Sequence, residues 1–370
     1  MLYKDTIREK QLLKLAAQRG VCVSIFLPTT PLTQDAQADR IVLKNLSKAA
    51  MEQAEAIADK RQIQAMTDYL EDLQTDDEFW QFQANGLAIL LTPESIKTYR
   101  LAYTVEEAAE VSDRFYLKPL MSALQTMSAY LLGISQKSVK LYEFTAAQQL
   151  EQLDVSDLPA DFSEVTKRTL QRDRAPAGKL QGDEGAEILQ RQFLRAVESA
   201  VRPIVSGSDM PLVLATTKEF QAMYQSLNSY DMLAEQGIDG SVEGLPEEEI
   251  RQGMLPIVKA LRQQRIQQWI ELYYQRQNES RTIANLATIA KLALRGQVSH
   301  LLVESDQVQY GTLSDLGEIT MSDNRSAETY DLIDEIVVRV LENGGEILGV
   351  RQGEDVPEEL MPIAAVLRWS

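Results

Sequence analysis

The residues best suited to chemistry lie close together, between positions 165 and 185. Lys167, Arg168, Arg172, Arg174 and Lys179 stand against a single acid, Asp173, in the window 165–179, the densest basic cluster of the chain. Gln181 follows, with Gly178, Gly182 and Gly185 around it as the elements of a flexible loop. Cations grouped on a polar loop can hold phosphate oxygens. A glutamine among glycines, whose backbone enters conformations closed to other residues, can aim a water at a carbonyl. The same composition also suits a solvated connection whose charges pair with nearby acids.

Elsewhere the inventory for catalysis is thin. His300 is the only histidine; it sits in the apolar run VSHLLV, as a packed or edge-strand residue would, and a Ser-His-Asp triad would have to be built on it alone. No HExxH, GxxxxGK or GxGxxG motif is present, so zinc proteolysis and ordinary nucleotide hydrolysis find no support. Glu143 is the one acid on the expected middle strands, which leaves a magnesium-holding carboxylate pair without a second member. No metal and no other cofactor is expected. The single cysteine, Cys22, excludes an internal disulfide and reads as a small buried hydrophobe within the apolar run 21–27. Trp80, Trp269 and Trp369 read as core or domain-interface anchors, because aromatics make up 6% of the chain and do not interleave with basic residues.

Three segments have to position these residues, with expected boundaries near 120 and 260: an N-terminal α/β domain (1–120), a middle domain carrying the variable basic loop (121–260), and a C-terminal α/β domain (261–370). In the first, a helix leads to a strand over 21–27. A long helix follows, capped by Asp35 and carrying Val42, Leu43, Leu46, Ala50 and Ala54 on one face, then a helix over 62–73 and strands over 86–91 and 96–101. In the second, strands over 129–132 and 139–144 form a hairpin. Hydrophobic periodicity lapses from 161 to 183 and resumes as a helix with Ile188, Leu189, Phe193, Val197 and Val201 on one stripe. A buried strand over 211–215 and a helix over 218–227 follow, and a long polar helix over 253–278 leads into the third segment. There Ile283, Leu286, Ile289, Ala290 and Ala293 recur at helical spacing up to Arg295 and Gly296. A strand over 298–303 comes next, then a second amphipathic helix to Gly345, and strands over 347–350 and 363–369. Strand, helix and strand with short connections favour a parallel crossover and a self-contained module.

The net charge of −18 is spread over all three segments. Such a field repels a phosphate backbone at long range, so extensive non-specific RNA or DNA binding is disfavoured and any RNA contact must be local. No apolar stretch reaches the length that spans a bilayer. The N-terminus has no signal core, and the expected compartment is the cytoplasm.

The runs ATIAKLALRGQVSHLLV (287–303), DLIDEIVVRVLENGG (331–345) and IAAVLRW (363–369) resemble the C-terminal domain of Pelota and the archaeo-eukaryotic peptide-release factors. SIFLPTTP (24–31), DRIVLKNL (39–46), LYEF (141–144) and PLVLA (211–215) extend the likeness to the bacterial proteins related to those release factors. The resemblance implies an α/β protein of three domains, with a ribonuclease-H-like middle domain and a Pelota/L7Ae-like C-terminal domain. It implies a place in translation, with the ribosome, tRNA or a protein partner as ligand, no DNA and no membrane. Release factors of that superfamily carry Gly-Gly-Gln on a middle-domain loop, and this chain has no Gly-Gly-Gln; at the corresponding place it reads AGKLQGDEG (177–185). Lys179 and Leu180 precede Gln181 where the family has two glycines, so the resemblance carries binding over more readily than catalysis. Three readings remain: a non-catalytic binding protein of the translation system, an acidic protein-interaction scaffold without RNA contact, and a hydrolase acting on peptidyl-tRNA through Gln181.

Overall fold

The structure is a computed structural model that describes all residues except 1–8, 31–35, 82, 102–103, 121–127, 145–149, 167–182, 207–209, 306, 324–328, 352 and 370. It divides into two compact units, Met1–Thr126 with Arg265–Ser370, and Met127–Gln264.

The N-terminal segment runs α1 (Glu9–Ala16), β1 (Cys22–Pro28), α2 (Ala36–Ala54), α3 (Lys60–Thr75), α4 (Asp77–Gln81), β2 (Gly86–Thr92), β3 (Ser95–Leu101) and β4 (Ala108–Ser112). Its sheet has the order β3-β2-β1-β4, antiparallel throughout. Side chains alternate between the faces of a strand, and here both faces are apolar. Val23, Ile25 and Leu27 of β1 and Leu87, Ile89 and Leu91 of β2 pack with Leu43, Met66, Leu70 and Trp80 of the helices. Cys22 and Phe26 of β1 and Ala88 and Leu90 of β2 belong to a different core. A reciprocal cap starts α3: the Asp59 carboxylate accepts from the Gln62 amide at 2.8 Å, and the Gln62 side chain accepts from the Asp59 amide at 3.0 Å. Asp35, expected to cap α2, lies outside the described residues.

The middle unit contains β5 (Ala129–Ile134), β6 (Val139–Phe144), β7 (Leu150–Leu153), α5 (Asp183–Val205), β8 (Leu212–Thr216), α6 (Lys218–Leu227), β9 (Ile238–Asp239) and the first half of α7 (Glu247–Gln277). The sheet order is β7-β6-β5-β8-β9; the first three strands form an antiparallel meander, and β8 and β9 run parallel to β5 and to each other. This is the ribonuclease-H-like arrangement. Tyr130, Leu132 and Ile134 of β5 pack on Phe193, Val197 and Val201 of α5 and Tyr224 of α6. Ala129 and Leu131 face Met254 and Ile257 of α7 on the other side.

The C-terminal segment comprises β10 (Thr282–Ile283), α8 (Leu286–Leu294), β11 (Val298–Glu304), β12 (Tyr310–Leu313), β13 (Ile319–Met321), β14 (Tyr330–Asp331), α9 (Leu332–Glu342), β15 (Glu346–Val350) and β16 (Ile363–Leu367). One sheet has the order β10-β16-β11-β15, with β15 parallel to β11 as the crossover argument expected; a smaller one has the order β13-β12-β14. Ile283 falls in β10 instead of the helix, because Asn285 caps α8 by accepting from the Thr288 amide at 3.0 Å. The fold class is α/β, with a ribonuclease-H-like strand order in the middle unit.

The C-terminal segment is not self-contained in its packing. Ile289 and Ala293 of α8 and Ile333, Ile336, Val337 and Val340 of α9 share one core with Leu12, Phe26, Leu90, Phe115 and Leu117 of the N-terminal segment. The second apolar face of the N-terminal sheet is what the C-terminal helices cover. On the far side of the C-terminal sheet, Leu302, Leu348 and Ala364 pack on Ile266, Trp269 and Tyr273 of α7.

Candidate functional site: the middle-domain loop and a buried charged seam

Lys167, Arg168, Arg172, Arg174, Gly178, Lys179, Gln181 and Gly182 lie outside the described residues. The residues that flank them in the chain are described. Before it, Asp161 and Glu164 cap the turn 160–166: Asp161 Oδ1 accepts from the Glu164 amide at 2.9 Å, and Glu164 Oε2 accepts from the Ala160 amide at 2.9 Å. The Phe162 amide donates to the Gln136 carbonyl at 2.9 Å, and its ring meets Phe193 of α5 edge-on at 5.5 Å. After the loop, α5 begins at Asp183. Gly185 is therefore a buried residue in the first turn of a helix and not an element of a flexible loop, while Ile188, expected on the apolar stripe, is 47% exposed and the stripe begins at Phe193.

A second cluster of charge is buried inside the other unit. After β4 the chain carries Arg114, Tyr116 and Lys118; facing them, the start of α9 carries Asp331, Asp334 and Glu335. Asp331 is the N-cap of α9, and its Oδ1 accepts from the Ile333 amide at 3.0 Å and the Gln309 amide at 3.2 Å. Its Oδ2 takes the Lys118 ammonium at 3.1 Å, and Lys118 also donates to the Gln307 carbonyl. Arg114 pairs with Glu335 and, through Nε at 2.8 Å, with Asp113; its guanidinium lies 4.0 Å from the Tyr330 ring centroid. Arg339 closes the far side of Glu335 at 2.8 Å. Asp334 Oδ2 accepts from the Leu117 amide at 3.0 Å, while its Oδ1 is buried without a partner.

The electrostatics follow from this crowding. Burial, reinforced by the neighbouring Asp331 carboxylate, pushes the Asp334 acid well above its usual range. Burial likewise raises the Tyr116 phenol, with Asp331 and Asp334 adding to it. The hydrogen bond from Arg114 holds Asp113 below the ordinary carboxylate range. Asp331 at the N-cap and Glu335 in the first turn of α9 also meet the positive end of its dipole. The cluster fastens the segment 113–118 to α9.

The remaining candidates are structural. His300 lies on β11, an inner strand, half-buried, with Nδ1 3.0 Å from Ser299 Oγ and Nε2 3.9 Å from Glu346. Cys22 is fully buried, and burial pushes its thiol up to about 12. Trp80 is buried, its indole donating to the Leu73 carbonyl at 2.8 Å, and Trp269 stacks on Tyr273 at 5.6 Å. Trp369 departs from the expected anchor role: it is 51% exposed, two residues past the end of β16. Among the described residues no group of three His, Cys, Asp or Glu is placed to hold a metal ion, and no helix is long and apolar enough to cross a membrane.

Residues 126–263 match the model of the bacterial archaeo-eukaryotic release factor family 11. The middle domain is release-factor-related. That is the relationship implied by the sequence resemblance, and the match covers somewhat over a third of the chain. No curated protein sequence matches the chain. Among solved structures, Dom34 from S. cerevisiae is similar at 14% identity over 77% of this chain and 79% of that one, with a TM-score of 0.45. Archaeoglobus fulgidus Pelota gives 14% identity over the same two shares and a TM-score of 0.31. An archaeal translation termination factor, aRF1, gives 12% over 98% and 99% with a TM-score of 0.24. At such scores neither fold nor function follows from the likeness.

The described residues on either side of the basic segment 167–182 are a turn docked on the β5–β6 connection and the start of α5. The charged seam was missed by sequence reasoning. Its signal was present in DLIDEIVVRV, where Asp334 and Glu335 interrupt the apolar positions of a helix whose residues 332–338 are all buried.

Proposed function

We propose that this chain is a release-factor-like protein that binds within the translation system without releasing peptides, using the loop 167–182 to reach a ribosomal or tRNA phosphate surface. The observation that carries the reading is the match of residues 126–263 to a release-factor family in a chain that has no Gly-Gly-Gln. Glycines ahead of the glutamine allow close backbone approach to a reacting ester; Lys179 and Leu180 incur a steric cost at positive φ and bring bulk. The five basic residues of the loop supply a local contact that an overall charge of −18 denies to the rest of the chain. A cytoplasmic location accords with this reading.

Co-sedimentation with ribosomes tests it. Binding is expected at about 50 mM salt and should weaken steeply toward about 200 mM, because phosphate contacts release counterions. Release of labelled peptide from ribosome-bound peptidyl-tRNA should be absent, and Gln181→Ala should change nothing; release that depends on Gln181 would restore the hydrolase reading. The net charge favours a second reading, an acidic scaffold that binds protein alone, and salt-insensitive association or none with ribosomes would select it.

A further inference from the structure

The buried seam holds one acid with which no cation is paired among the described residues. Glu335 has Arg114 and Arg339, and Asp331 has Lys118. Asp334, three residues further along α9 and 7% exposed, accepts from the Leu117 amide, and its Oδ1 is buried without a partner. An ionised carboxylate in that place is a desolvated charge beside the Asp331 carboxylate, with the Lys118 ammonium already engaged. The protonated acid keeps the same shape and the same bond to Leu117 without the charge.

The segment that Asp334 holds is secured largely through side chains. Residues 113–117 belong to no helix or strand, and two of their amides donate to side chains, Tyr116 to Ser24 Oγ at 2.9 Å and Leu117 to Asp334 Oδ2 at 3.0 Å. The segment brings Phe115 and Leu117 into the core that Ile333, Ile336 and Val337 of α9 complete. Asp334 stands between this strap and the helix, so water that enters to solvate its carboxylate parts one from the other.

The influences on its proton come from both sides. Burial is the largest and favours the neutral acid; Asp331 and Glu335 of α9 act the same way, and Lys118 of the strap acts against them. The Tyr116 phenol faces the same two aspartates, with Glu110 of β4 and Tyr310 of β12 beside it.

We propose that the seam is a proton-operated latch: protonated Asp334 keeps the segment 113–117 on α9, and loss of that proton to solvent releases it and opens the core shared by the N- and C-terminal segments. Since the folded acid is the weaker one, the latch is complete below the unfolded value, near pH 4, and is lost as pH rises through the folded value. The proposal is independent of the loop 167–182 and of any ligand in translation.

Hydrogen exchange of the full-length protein, read by mass spectrometry from about pH 5 to about pH 9 and corrected for the intrinsic rate, tests it. Peptides covering 113–120 and 331–338 should lose protection about tenfold or more across that range, while those covering 212–216 in the middle unit keep theirs. Asp334→Asn, which cannot ionise, should flatten the series in the seam. The wild-type series decides by itself should that variant fold poorly. Seam protection that does not change with pH overturns the proposal, as does a fall of equal size in Asp334→Asn or in the middle unit.

Discussion

The two units bury different things. Every charged side chain buried among the described residues, Lys118, Glu304, Asp331, Asp334 and Glu335, belongs to the unit made of residues 1–126 and 265–370. Among the described residues of the middle unit, the one of polar or charged type that is buried is Thr216, whose hydroxyl donates to the Ile134 carbonyl at 2.8 Å. The difference follows from connectivity. The middle unit closes a sheet between helices drawn from one continuous stretch, and apolar periodicity suffices to assemble it. The other unit must bring together two segments far apart in the chain. Apolar surface gives adhesion without direction, whereas Asp331 accepting from Lys118 and Asp334 accepting from the Leu117 amide occur in one register only.

If the seam sets that register, removing one partner should cost more than any single polar change in the middle unit. Lys118→Met keeps the aliphatic stem but leaves the Asp331 carboxylate, 1% exposed, without its ammonium. A loss of about 3 kcal/mol is expected, at the lower edge of what breaking a buried pair costs, because two amides still donate to Asp331. All three tryptophans lie in this unit, so their fluorescence in a urea titration follows its unfolding. A loss below about 0.5 kcal/mol would reduce the seam to an ordinary surface pair.

Asp334 sharpens the contrast through pH. Its folded value is raised by burial and by Asp331, so the folded protein keeps a proton that the unfolded chain gives up near pH 4. The stability tied to that proton is complete below the unfolded value and is lost as pH rises toward the folded one. Asp334→Asn imitates the protonated acid. It should match the wild type at about pH 4 and exceed it by roughly 1–3 kcal/mol at about pH 8, read from thermal melts. A variant less stable than the wild type at both pH values would mean that Asp334 is charged in the fold.

In the middle unit the corresponding change is Thr216→Val, nearly the same in shape and lacking the hydroxyl. It should cost about 1 kcal/mol, the worth of one neutral hydrogen bond, with no pH dependence. Calorimetry is the suitable readout, as the unit contains no tryptophan. A cost equal to that of Lys118→Met would erase the distinction between the two units.

What could be read in the sequence divides along the same line. The helices and the long buried strands announced themselves by period: Val23, Ile25 and Leu27 alternate with Cys22 and Phe26, and Phe193, Val197 and Val201 mark one face of α5. β4, β7, β9, β10 and the three strands of the small sheet did not, because each has two to five residues and several have exposed faces, leaving too short a pattern to count. The shared core was hidden for another reason. Periodicity shows that β1 is apolar on both faces but does not name what covers the second one, and a pairing across more than two hundred residues, Leu117 with Asp334, leaves no local trace. For the candidate loop, composition identified the basic residues, and the described structure locates its ends.

The smallest stability effect is expected in that loop, together with the largest effect on binding. Arg168→Glu, Arg172→Glu and Arg174→Glu together turn three positive charges into three negative ones between two anchored ends, the turn at Phe162 and the start of α5. Neither end depends on these side chains for the hydrogen bonds and ring contact described for it, so the melting free energy should shift by less than about 0.5 kcal/mol. Ribosome or tRNA association, by contrast, should weaken at every salt concentration, and the slope of its logarithm against that of salt should fall by roughly one for each phosphate the loop no longer neutralises. Unchanged binding at low salt would remove the loop from the interface. A loss of stability comparable to that of Lys118→Met would show that the arginines pair with acids of the middle unit. That unit would then hold its own fold by charge, and the contrast with the seam would fail.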